Sequence, residues 1–323
     1  MKKIILLTIF TCIYSLGISQ DIEESSKETL LKELAESGCN CIDSIQIYNK
    51  PKTDIALEIH KCIDDVTGSY QLGSKLMDIE ELKEDVEVID GKKEINISLN
   101  VNEDSEEYKQ FYYELERYMM DLCASLKEKM STDEKQNAKS ISENDIAGAF
   151  YDRGITAAKN GFYEEAVKNF QKAVNEDPEF SFAWDNLGVN YRRLNKFDEA
   201  IDAYEKSLKI DPNGLMPLQN IAVAYQYKKE YKKAIKAYKK LSQIDKNNPE
   251  VFYGFGTVYA INLQDYEKGL ENMCIAYNLY IEQKSPYRAD AEKIINYIFS
   301  EMKKLGQEDK FNQILKDNNI SQN

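Results

Sequence analysis

The sequence predicts an all-α protein: a solenoid of stacked helical hairpins with C-terminal capping helices, preceded by a mainly helical, disulfide-stapled domain that contains a small β-hairpin. Three observations predict it. Gly154, Gly188, Ala222 and Gly256 fall 34 residues apart, and each opens the same local pattern. Residues 21 to 130 show no such period but carry four cysteines on helical stripes. The first twenty residues are mainly apolar behind Lys2 and Lys3.

That opening reads Met1-Lys2-Lys3, then an apolar run from Ile4 to Ile13, then Gly17-Ile18-Ser19-Gln20. A basic start, a short apolar stretch and small residues before a cut mark an export signal, with cleavage expected after Ser19 and residues 1–19 as signal peptide. The apolar stretch is too short for a comfortable span, and Thr11 before Cys12 fits a lipoprotein site poorly. Nothing after residue 20 is apolar for long enough to cross a bilayer, so the mature chain is expected to be soluble, in the periplasm or secreted. The net charge of −14 becomes −16 once Lys2 and Lys3 leave. Such a molecule, without a basic stripe, repels phosphate backbones, which argues against nucleic-acid partners.

Residues 20–131 form the first expected domain. Leu30, Leu31, Leu34 and Ala35 begin one helical face, which leads into Gly38-Cys39-Asn40-Cys41. Ile55, Ile59, Cys62, Ile63 and Val66 make a second stripe at helical spacing. Tyr108, Phe111, Tyr112, Leu115, Met119, Leu122, Cys123 and Leu126 make a third, expected as one helix from Glu103 to Lys129. Val86-Glu87-Val88-Ile89 and Glu94-Ile95-Asn96-Ile97 flank Asp90-Gly91, the pattern of a hairpin. The polar stretch 132–145 reads as a linker.

In an exported chain, Cys39, Cys41, Cys62 and Cys123 are expected to form two structural disulfides, each stabilising by ~2–4 kcal/mol. A Cys39–Cys41 bond would close a strained ring, so two pairings remain. If both cysteines are helical they point about 200° apart and favour different partners. Cys39, Cys41, His60 and Cys62 are donors that zinc accepts, but their spacing matches no finger or ribbon, and no metal or cofactor is expected. A thiol-redox role for Cys39-Asn40-Cys41 lacks the C-x-x-C spacing and its strand–helix context. Cys274 reads as a small buried residue.

From residue 146 the 34-residue blocks agree column by column. The fourth column holds Phe150, Trp184, Leu218 and Phe252; the seventh holds Arg153, Leu187, Ile221 and Phe255, where only the first departs. The eleventh reads Ala157, Tyr191, Tyr225 and Tyr259. Ala166, Ala200 and Ala234 follow, then Phe170, Tyr204 and Tyr238. Asp177-Pro178 and Asp211-Pro212 close two units, and Asp245-Lys246 the third. Apolar residues at offsets of three and four give each short helix one sticky face, and the small residues allow close approach. One hairpin cannot bury those faces alone; a stack can.

These columns resemble the tetratricopeptide repeat, whose W-x2-L-G-x2-Y, alanine, aromatic and proline stand here as Trp184, Leu187, Gly188, Tyr191, Ala200, Tyr204 and Pro212. Four such units are expected over residues 146–283. In the fourth, one inserted residue puts Tyr266 seven after Tyr259, and Gly269 and Met273 replace the alanine and the aromatic. Residues 284–323 are expected to supply a cap over Ala289–Lys304, a short helix near Asp309–Lys316 and a frayed tail.

Catalytic patterns are not found. His60 is the only histidine and lies one residue off its helix's apolar stripe, so a solvent-facing side chain is expected. There is no G-x-S-x-G, no phosphate loop and no dinucleotide fingerprint. The chain is therefore expected to be no enzyme but an exported scaffold for protein–protein contacts. A redox domain with a docking arm and a self-associating envelope protein are the rival readings; the oligomeric state is left open.

The resemblance implies a concave groove holding a peptide or a partner helix, lined by the second, fifth, ninth, twelfth and thirteenth columns. Carried over, these give Tyr151 and Ile155; Asp185, Val189, Arg192 and Arg193; Gln219, Val223, Gln226 and Tyr227; Tyr253 and Thr257. Asn186 and Asn220 occupy the sixth column, which relatives use to hold a peptide backbone. Tyr151 and Ile155 stand where chaperone-binding relatives place their first lysine/asparagine clamp pair, so the resemblance implies an amphipathic or tyrosine-compatible ligand rather than a terminal carboxylate.

Overall fold

The computed structural model describes residues 19–47, 50–81, 88–89, 92–93, 98–130 and 140–320. The expected signal peptide, all but Ser19, lies outside them. The N-terminal unit is built from α1 (Ser19–Asp43), α2 (Lys52–Glu81), α3 (Glu106–Leu122) and α4 (Ala124–Met130). Their apolar stripes meet in one core: Leu31, Ala35 and Ile42 from α1, Ile55, Ile59 and Ile63 from α2, Tyr112, Leu115 and Met119 from α3, Leu126 and Met130 from α4. Between α2 and α3, β1 (Val88–Ile89) pairs antiparallel with β2 (Lys92–Lys93), Val88 opposite Lys93. The pairing thus sits closer to the turn than the expected arm Glu94–Ile97, which lies outside the described residues.

The single helix expected from Glu103 to Lys129 is instead two. Ser105 accepts from the Tyr108 amide and starts α3 at Glu106, with Glu106 and Glu107 in its first turn. At Cys123 the backbone leaves the helical region (φ −84°, ψ 99°), and α4 turns Leu126 and Met130 back into the shared core. Cys123 is bonded to Cys39, and Cys41 to Cys62, each pair with Cα atoms 5.7 Å apart. Because α1 stays helical through both cysteines, they face different neighbours, and that selects the pairing.

Four hairpins follow: α5 (Asp145–Lys159) with α6 (Tyr163–Glu176), α7 (Ser181–Arg193) with α8 (Phe197–Ile210), α9 (Leu215–Tyr227) with α10 (Tyr231–Ile244), and α11 (Pro249–Thr257) with α12 (Tyr266–Glu282). Each reverses through three residues, the middle one in the left-handed region: Gly161, Asn195, Lys229 and Gln264, at φ 77°, 59°, 59° and 57°. Between hairpins, the carboxylates of Asp177, Asp211 and Asp245 accept from the amides of Glu179, Asn213 and Asn247 at 3.0, 3.2 and 3.2 Å. That local turn explains why Asp245 works without a following proline.

The inserted residue of the fourth unit is absorbed by a π turn, Val258–Asn262, directly after α11. One wider turn takes in the extra residue and leaves the three-residue reversal intact. Arg153, the odd member of its column, faces no preceding repeat. Its guanidinium and Lys172 lie 5.7 and 5.2 Å from the Phe150 ring centre and cover it at the open end of the stack.

The first helices form an inner layer, since α5 packs on α7, α7 on α9 and α9 on α11; the second helices reach the next unit through its first helix. α13 (Arg288–Lys304) and α14 (Glu308–Asp317) close the far end, with Ala291, Ile295, Ile298 and Met302 buried against α12 and α14. The opposite side of α13 is not a plain polar cap: it receives α3 of the N-terminal unit. The expected linker is described only from Ser140. Ser140 accepts from the Phe182 amide, Ser142 donates to Asp177, and Asn144 caps α5.

Candidate partner-binding groove

The ninth column gives the inner layer a continuous stripe. Ile155, Val189, Val223 and Thr257 are all half-buried, one from each of α5, α7, α9 and α11. These β-branched side chains have few rotamers to lose, so ordering them against a ligand costs little entropy. Thr257 uses its hydroxyl on its own helix, donating to the Gly254 carbonyl at 3.0 Å, and presents its methyl group as the remaining contact.

Polar residues beside the stripe are held within the stack, Asn186 and Gln219 by contacts that cross between repeats. Asn186 donates to the Tyr151 hydroxyl at 3.2 Å and to the Phe182 carbonyl at 2.9 Å. Tyr151 in turn packs on Phe170 and Phe180. Gln219 donates to Glu250 at 3.1 Å, Gln226 to the Tyr238 hydroxyl at 2.8 Å, and Asn220 to the Met216 carbonyl at 3.1 Å. Two of the family's asparagine positions are therefore engaged within the repeats.

Other expected groove residues sit elsewhere. Asp185 is only 4% exposed, inside the stack and not on its surface. Arg193 turns to the edge, donating to the Tyr163 hydroxyl at 3.0 Å with its guanidinium 5.1 Å from that ring. Tyr227 repeats the relationship one unit later, stacked on Phe197 at 5.4 Å. In repeats two and three the thirteenth column thus packs on the start of the preceding outer helix, and Arg192 stays half-buried beside the stripe.

The second column is among the groove-lining columns, but no residue was carried over from it, and there lies Glu250. Its carboxylate accepts from Gln219 and from the Tyr280 hydroxyl at 2.7 Å. Burial raises its pKa, partly offset by the Tyr280 hydrogen bond and by Lys52 of α2. Tyr253 faces the same region, its phenol pushed up to about 12 by burial and by the carboxylates of Asp290 and Glu250. The position alone would have found Glu250; its partners Tyr280 and Lys52 would not have been visible.

The N-terminal unit meets the inner layer at both ends. At the cap, Arg288 Nε donates to Glu116 at 2.9 Å, Nη1 to Glu292 at 2.8 Å, and the guanidinium lies 3.7 Å from the Tyr113 ring centre. Burial pushes the Glu116 carboxyl up, against the pull of Arg288. Arg117 reaches Glu292 at 3.0 Å and Lys293 reaches Asp121 at 2.7 Å. At the first repeat, Lys159 pairs with Glu128 of α4 at 3.0 Å.

His60 also belongs to this seam, contrary to the expected solvent-facing side chain. Its Nδ1 lies 2.6 Å from the Tyr112 hydroxyl, and Lys284 donates to Nε2 at 3.3 Å. Its pKa is lowered by burial first and by Lys284 second, against the opposing pull of Glu103 and Asp64. Cys39 is bonded to Cys123 and Cys41 to Cys62, so none of these three thiols is left to join His60 as a zinc donor. Burial pushes the Cys274 thiol up to about 12, the state of an inert core residue.

Residues 181–213 match the family model described as tetratricopeptide repeat, and residues 222–261 match one described as TPR repeat. No curated protein matches the chain. Similar solved structures include MamA (41-end) from Desulfovibrio magneticus RS-1, 18% identical, covering 55% of this chain and 95% of that one, TM-score 0.45. MamA AMB-1 is 22% identical over 55% of this chain and 92% of its own, TM-score 0.41. The first TPR of Spaghetti (RPAP3), bound to an HSP90 peptide, is 22% identical over 34% and 87%, TM-score 0.33.

Proposed function

We propose that this chain, a tetratricopeptide-repeat protein, is an exported, non-enzymatic scaffold that holds a partner segment in its inner groove. The observation that carries the reading is the half-exposed stripe Ile155, Val189, Val223 and Thr257, flanked by Tyr151 and Arg192. A run of mainly apolar footholds with Arg192 beside it suits an amphipathic segment with an acidic side chain at the level of α7. Export is supported by the basic-apolar opening of the sequence and by two disulfides, which persist in oxidising compartments. A structural rather than catalytic role for His60 is supported by its ring nitrogens, both engaged at the seam.

The test places a photo-crosslinking residue at Val223 in the full chain and, as control, at Asp202 on the outer layer. Capture of one defined partner from Val223 alone, lost in Val189→Asp, is the expected result. Equal capture from both positions, or capture indifferent to Val189→Asp, would refute the groove reading.

A further inference from the structure

The two attachments of the N-terminal unit differ in kind. At the cap, Arg288 and Glu116 are 2% and 4% exposed at the side chain, walled in by Tyr113. At the first repeat, Lys159 and Glu128 are 62% and 55% exposed. α5 and α13 lie at opposite ends of the stack, so the unit bridges the groove between them. Val189 and Val223, on the helices between, remain half-exposed.

The geometry points to a gate: the N-terminal unit pivots on the buried Arg288–Glu116 anchor and closes over the groove through the exposed Glu128–Lys159 latch, which opens to admit the partner. This rests on the groove being the partner's site. An exposed ion pair contributes little and is screened by salt, whereas a buried, hydrogen-bonded pair resists both, so the latch yields first. The moving body is the whole unit and not α4 alone. Cys39–Cys123 ties the base of α4 to α1, and Lys129 donates to the Asp43 and Ile45 carbonyls at 3.0 and 2.5 Å. The partner therefore competes with an exposed contact made by the chain itself, and ionic strength sets how often the groove is open.

Fluorophores carried on unnatural amino acids at Lys127 and Asn160 of the full chain report the latch distance by single-molecule energy transfer. A closed population is expected at low salt. High salt or Lys159→Glu should raise the open-to-closed ratio by about 2- to 5-fold, the range for an exposed pair. Glu128→Lys combined with Lys159→Glu should restore closure. A single distance indifferent to salt and to charge reversal, whether short or long, overturns the gate. The measurement needs no partner, so its failure leaves the Val223 capture result standing on its own.

Discussion

Gly188 of α7 lies beneath the Tyr204 ring of α8, so near that a Cβ would stand 2.5 Å from Cε1. The same contact joins Gly154 to Phe170 one unit earlier, at 2.7 Å. The small column therefore sets how close the two helices of a hairpin stand. Gly188→Leu should cost ~1–3 kcal/mol or more by overpacking, seen as a lower urea midpoint. An unchanged midpoint would mean the hairpin spreads without penalty.

Lys229 holds a left-handed conformation, φ 59°, at an exposed turn where Gly161 serves the first hairpin. Lys229→Gly should relieve roughly 1 kcal/mol of backbone strain and raise the thermal midpoint. A lower midpoint would show that the glycine's added unfolded-state entropy outweighs that relief.

Arg288→Met leaves Glu116 buried beside an apolar chain. Docking of the N-terminal unit should weaken by ~3–5 kcal/mol, read as faster amide exchange in α3 and α13. Adding Glu116→Leu should recover much of that loss, because the stranded charge is removed. Failure of the double variant to recover would mean the pair contributes more than apolar packing can replace.

His60 has a lowered pKa, so the native state favours the neutral ring over the charged one. Its contribution is complete above about pH 6.5, the unfolded value, and is lost as pH falls below it. Between pH 7.5 and 5.5 the wild type should lose stability relative to His60→Gln. The comparison between the two proteins matters because burial shifts Glu116 upward, which adds an opposite slope to both. Parallel pH curves would remove His60 from the seam's energetics.

The repeats were legible because each contact recurs every 34 residues, so chance agreement in one column is corrected by the others. The disulfides were legible as two alternatives, and only the unbroken helix through Cys39 and Cys41 chose between them. The break at Cys123 was hidden: Leu122 and Leu126 continue a helical spacing that a straight helix would share. Arg193 and Tyr227 were placed by column, but the column does not say that their side chains reach back to Tyr163 and Phe197. Arg288 and Glu116 are 172 positions apart, and no local pattern pairs them.

A stack of identical hairpins has no intrinsic length, since a copy can be added or removed without altering any neighbour. Here the first module touches Lys159 at the start and Arg288 at the finish, so it acts as a ruler. A fifth hairpin would carry those two points apart by about 10 Å or more, one helix-packing distance, and one of the two grips would have to let go. The number of repeats is thereby tied to the size of the piece that precedes them.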